Sequence, residues 1–116
     1  MPKYAITYHY STASWARMLK VRDDRASTVS ALLEYLGGKF ESMYWDVEES
    51  AAHVTCDMPD SYAAAAAVIA ATKTGGFKSV DLRLLLTQDE LYDVVTLAKS
   101  CEGFYHAPGA VPDEDV

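Results

Sequence analysis

Apolar and polar positions alternate along the chain in two different periods, and the switches between them divide it into elements. Lys3 to Ser11 is rich in aromatic and β-branched residues. It alternates Tyr4, Ile6, Tyr8 and Tyr10 with Ala5, Thr7 and His9, the period-two pattern of a strand. Ser11 or Thr12 then caps a short helical turn carrying Trp15, Met18 and Leu19. From Arg25 to Leu36 the period lengthens. Val29, Leu32, Leu33 and Leu36 form one apolar stripe, a helix that Gly37-Gly38 closes.

Lys39 to Val47 and Ala51 to Met58 predict two further strands. The Glu48-Glu49-Ser50 link between them is short enough to require an antiparallel pair. Pro59-Asp60 ends the hairpin, and Asp60 or Ser61 caps an alanine-rich helix from Tyr62 to Lys73. After Gly75-Gly76, Lys78 to Leu86 alternates Val80, Leu82, Leu84 and Leu86 with Ser79, Asp81, Arg83 and Leu85, a fourth strand. Thr87 with Glu90 makes a capping box for a last helix reaching about Lys99. The order β-α-β, β-α-β is the split βαβ pattern, so the expected fold is an α+β, ferredoxin-like domain over residues 1–100 with a four-stranded antiparallel sheet and an extra C-terminal helix. Residues 101–116, with Gly103, Pro108, Gly109, Pro112 and Asp113-Glu114-Asp115, read as an acidic tail.

Composition narrows the function classes. The chain has 116 residues and a formal net charge of -7, enough length for one core without staples. Its basic residues are interspersed with acids, as in Lys20, Arg22, Asp23, Asp24 and Arg25, so no basic stripe points to nucleic acid. The most apolar run, Tyr62 to Ala71, is too short to span a bilayer, and no apolar leader follows Met1, so the expectation is a cytoplasmic protein with no membrane partner. Cys56 and Cys101 match no metal spacing. Cys56, among apolar neighbours, reads as an inert buried thiol, and a disulfide to Cys101 is not required for folding.

The segments PKYAITYHYS, ALLEYLGGKF, ESMYWDV, PDSYAAAAAVIAA and VDLRLLLTQDEL, spanning about residues 2 to 95, resemble the GYD domain family. The chain departs from that family at its namesake, carrying Glu48, Glu49, Ser50 and Ala51 where the family has Gly-x-Tyr-Asp after the second strand. No role of that tyrosine or aspartate transfers. The resemblance implies a dimeric α/β barrel, in which two ferredoxin-like sheets pack face to face around a pocket. It implies no particular reaction.

A ferredoxin-like sheet covers one face with helices and leaves the other bare. Alternation assigns Thr7, His9, His53, Thr55, Asp57, Asp81 and Arg83 to the bare face. As a site, this set offers His53 and His9 as catalytic bases, with a carboxylate to orient the ring, and Arg83 as an anion anchor beside Thr55, Asp57 and Asp81. Alternation alone also accounts for polar residues on an uncovered face, as a solvated surface or a polar dimer interface. Trp45, Tyr44 and Tyr8 are candidates to line an apolar pocket or to pack in the core. His53, mid-strand and rigidly held, is the leading residue, in a pocket formed with a partner sheet or with the loop carrying Trp15. The expected function is a small-molecule-binding protein or a cofactor-free oxygenase- or isomerase-like enzyme, acting as a homodimer without metal. The alternative is a non-catalytic protein-binding or regulatory module. A lone sheet exposing Trp45, Tyr44 or Met43 motivates the homodimer.

Overall fold

A computed structural model describes residues 1–110; the predicted acidic triplet Asp113-Glu114-Asp115 lies outside the described residues. Eight elements run in the order β1 (Lys3–Tyr10), α1 (Thr12–Val21), α2 (Arg25–Tyr35), β2 (Lys39–Asp46), β3 (Ala51–Asp57), α3 (Ser61–Thr72), β4 (Phe77–Leu85) and α4 (Gln88–Lys99). The chain divides into two compact units, Met1–Leu85 and the segment from Leu86 onward.

In the first unit the four strands form one antiparallel sheet in the order β2-β3-β1-β4. With helices α2 and α3 inserted between β1 and β2 and between β3 and β4, this is the ferredoxin-like topology predicted from the sequence. One element exceeds the expectation. The short turn after β1 is a ten-residue helix, α1, capped by the Ser11 side chain, which accepts from the Ser14 N–H, and closed by Arg22 at φ 55°. Trp15 and Met18 of α1 pack against the core cluster and hold it to the sheet.

The core lies on the helix-covered side. Tyr4, Ile6, Tyr8 and Tyr10 are all buried there, joined by Ala52, Val54, Cys56 and Met58, by Val29 and Leu33 of α2, and by Ala64 and Ala67 of α3. The small side chains of α3 let its backbone approach the sheet closely, which is the packing its alanine run predicts. Helix α2 begins at Asp24, whose carboxylate accepts from the Ser27 N–H and hydroxyl and is held below the usual carboxylate range by those two bonds. It ends in a Schellman motif: Gly38 N–H donates to the Leu33 carbonyl at 2.9 Å and Gly37, at φ 87°, donates to Glu34 at 3.0 Å.

Strand β2 does not alternate evenly. A β-bulge at Glu41 shifts its register, so Phe40 pairs with Cys56 and Ser42 with Thr55. Phe40, Met43 and Trp45 therefore fall on the helix side, while Tyr44 and Asp46 join the open side. In the second unit, Thr87 and Glu90 close the predicted capping box at the start of α4. No helix among the described residues is long and apolar enough to cross a membrane.

Two substitutions test this core. A Cβ at Gly38 would strike the Asp57 carbonyl oxygen and the Met58 sulfur. Because a backbone atom cannot step aside, Gly38→Ala is expected to cost about 1–3 kcal/mol in urea unfolding. Leu33→Ala, at a fully buried position, is expected to cost about 2–5 kcal/mol. Unchanged midpoints for either would contradict this packing.

Candidate functional site

Because directly paired residues share a face, the register of the sheet decides which polar side chains meet. Across the open face one row reads Tyr44, His53, Thr7 and Asp81, and the next reads Ser42, Thr55, Ala5 and Arg83. His9, Asp46 and Asp57 stand on the same side. No element of Met1–Leu85 covers it: His53 and Arg83 are exposed, and Thr7, His9, Thr55, Asp57 and Asp81 are partly exposed.

Two histidine–carboxylate pairs organise this surface. His9 Nε2 lies 3.1 Å from Asp81 Oδ2, joining β1 to β4. His53 Nε2 lies 3.5 Å from Asp46 Oδ2, and its Nδ1 lies 3.2 Å from Thr7 Oγ1. Asp46 in turn accepts the Glu49 backbone N–H at 3.1 Å, and that bond, together with the His53 contact, holds its carboxyl below the usual range. Both ring nitrogens of His53 thus have partners. His9 differs: its bond to Asp81 occupies Nε2, which, carrying the proton toward the carboxylate, leaves the Nδ1 lone pair available.

The partners of His53 are not those its own strand suggested. Thr55 and Asp57, two and four residues on, belong to a separate network. Asp57 pairs with Lys3 at 3.1 Å, Lys3 also bonds Glu41, and Thr55 donates to Glu41 at 3.3 Å while meeting the Ser42 hydroxyl. Arg83 makes no ion pair among the described residues and stands two positions along β4 from Asp81. Asp46 went unrecognised in the sequence, and Tyr44 was expected in an apolar pocket or the core and not on the polar face, because the Glu41 bulge inverts the alternation of β2.

Two candidate residues lie elsewhere. Tyr8 is 2% exposed in the core, on the opposite side of the sheet from His53, where even-numbered residues of β1 point. Trp45 is also on the helix side, with its ring centroid 5.7 Å from Tyr10 and 5.9 Å from Trp15. Neither lines a pocket with the histidines, and Trp15, on α1, does not face them either. On this helix side a groove of about 490 Å³ is lined by Trp15, Met18, Leu19, Trp45 and Val47 with Arg22 and Asp23 at its edge. Among the described residues no three His, Cys, Asp or Glu side chains group as a metal site.

The family model for the GYD domain matches residues 4–95. No curated protein matches the chain. Among solved structures, an uncharacterized NIPSNAP domain protein from Burkholderia xenovorans is similar with a TM-score of 0.48 and 10% identity, over 75% of this chain and 94% of that one.

Burial of the core beneath this face sets the alkaline behaviour. Burial pushes the Tyr8 hydroxyl up to about 12 and the Cys56 thiol up to about 11, from ordinary values of 10.0 and 9.0. Both folded values exceed the unfolded ones. Their stabilising contribution is therefore complete below pH 9 and is lost as pH rises through 11 to 12. Urea midpoints are expected to fall in that window. The Tyr8 hydroxyl has no partner among the described residues, so Tyr8→Phe should be neutral or stabilising by about 1 kcal/mol and should flatten the alkaline loss. At pH 8, Cys101, which is exposed, should react rapidly with a thiol reagent and Cys56 only after unfolding.

Proposed function

The chain belongs to the GYD domain family, and on that premise we propose that it binds a small molecule on the open sheet face, with His9 as a general base, in a homodimer whose second sheet closes the site. The observation that carries this reading is the His9–Asp81 pair at 3.1 Å. A carboxylate on one ring nitrogen orients the imidazole and stabilises the cation that forms when the other nitrogen takes a proton. Rigid strands hold both groups, so no loop need move to assemble them.

Around that pair the remaining side chains take complementary roles. Arg83, on the same face, grips a carboxylate or enolate oxygen of the substrate in its fork. His53, with Thr7 and Asp46 on its two nitrogens, is a positioned hydrogen-bonding group. Tyr44, 73% exposed beside His53, offers an aromatic surface for the substrate body or the partner sheet. The chemistry this set supports is removal of a proton from a small substrate, the opening step of isomerases and of cofactor-free oxygenases. A second copy placed over this face excludes water and strengthens each of these interactions.

The tests are oligomeric state and ligand retention. Light scattering at micromolar concentration should give the mass of two chains, and native mass spectrometry of protein from its source cells should show a dimer with a retained small molecule. His9→Ala should remain folded and dimeric while losing turnover of that molecule by about 10²–10⁴-fold, the usual worth of a general base. Asp81→Asn should lose less, because it misorients the ring without removing it. A monomer, or full function in His9→Ala, would overturn the reading.

A further inference from the structure

The described residues contain three buried side-chain polar atoms without a hydrogen-bond partner: Tyr8 Oη, Tyr10 Oη and Arg25 Nε. They are not scattered. Tyr8 and Tyr10 are successive inward residues at the end of β1, and the Arg25 guanidinium acts on both phenols, lying within hydrogen-bonding reach of the Tyr10 hydroxyl without the alignment of a full bond. A buried polar group without a partner costs about 1–3 kcal/mol, and two of the three residues, Tyr10 and Arg25, meet at one place.

That place borders a cavity. A space of about 400 Å³ lies between α1, the start of α2 and the β1–β4 end of the sheet. Its apolar wall includes Met18 and Phe77, and its polar wall includes Tyr10, Ser14, Arg17 and Arg25. Asp23 also borders it, with its carboxylate 3.3 Å from Arg25 Nη1. Arg17 reaches only the Ser14 hydroxyl, at 3.4 Å. Two guanidinium groups against one carboxylate leave a net local charge of about +1 in a chain whose overall charge is -7. Tyr10 is 4% exposed: it lines this space, while its hydroxyl, without an aligned partner among the described residues, is itself closed off from solvent.

We propose that this helix-side cavity binds a small organic carboxylate with an apolar body. The volume lies within the range of small-molecule sites. Arg17, whose guanidinium reaches only the Ser14 hydroxyl, presents the fork that a carboxylate accepts in two parallel bonds, and the Arg25 guanidinium adds a second positive charge beside it. Phe77 and Met18 receive the apolar body. The single net positive charge matches a monoanion, and the Asp23 carboxylate repels a dianion such as phosphate. The site is separate from the open face, since Tyr10 and His9 point to opposite sides of β1.

The test uses the full chain labelled with ¹⁵N and titrated with benzoate, its neutral isostere benzamide, and inorganic phosphate. Benzoate at millimolar concentration should shift the Arg25 Nε–H and the Tyr10 and Ser14 amides, whereas benzamide and phosphate should bind at least about tenfold more weakly. Arg17→Gln and Arg25→Gln should each weaken benzoate about tenfold or more, and Lys20→Gln, which removes an exposed charge of α1 outside the cavity, should not. Should Arg25→Gln fail to fold, the comparison of the three probes on the unaltered chain still decides the matter. Equal binding of benzamide, tighter binding of phosphate, or no shift at these residues would overturn the proposal.

Discussion

Tyr4, Ile6, Tyr8 and Tyr10 point to one side of the central strand β1 and Lys3, Ala5, Thr7 and His9 to the other, because a strand repeats every two residues, and both neighbouring strands must follow that choice. A slip of one residue would put three tyrosines in water and Lys3 and His9 in the core. The aromatic side chains make the choice decisive, since each buries a large apolar area. Val54 and Cys56 on β3 and Val80 and Leu82 on β4 fall in line with it, and α2 and α3 then cover the only apolar face available.

The same constraint sorts the chemistry. Titratable groups that would be costly in the core collect on the open side, where water and each other's charges stabilise them. Neighbouring strands then convert a list of polar residues into particular pairs. His9 meets Asp81 across β1 and β4, and His53 meets Thr7 and Asp46 across β1, β3 and β2. Lys3, Glu41 and Asp57 form their own ion network at the far end. These contacts are diagonal or cross-strand, so they belong to the sheet and not to any single strand.

The end of β1 shows the cost of the tyrosine-rich pattern. Tyr10 packs at tilted angles within an aromatic group that includes Trp15, Trp45 and Phe77, at centroid distances of 4.9 to 5.9 Å. Its ring is well packed, but burying a phenol also buries a hydroxyl, and neither Tyr8 nor Tyr10 has an aligned partner for it among the described residues. Phenylalanine would fill the same space without that penalty. Two buried phenols and a half-satisfied guanidinium, with Tyr10 and Arg25 lining a cavity, are expensive for stability alone.

Local signals carried most of the fold. The β1 alternation, the Gly37-Gly38 stop, the Asp60 and Thr87 caps and the Val80–Leu82–Leu84 pattern each depend on neighbours within a few residues, and each is present in the structure. They also put His9, His53, Thr55, Asp57, Asp81 and Arg83 on one face. What only the tertiary structure decided was pairing. The Glu41 bulge turned Trp45 inward and Asp46 outward, and no local pattern announces an inserted residue whose partner lies on another strand. Likewise Tyr8 entered the core and not a pocket because α2 and α3 cover its side. The bond between His9 and Asp81 spans 72 positions of sequence, a distance that only the closure of β4 against β1 removes.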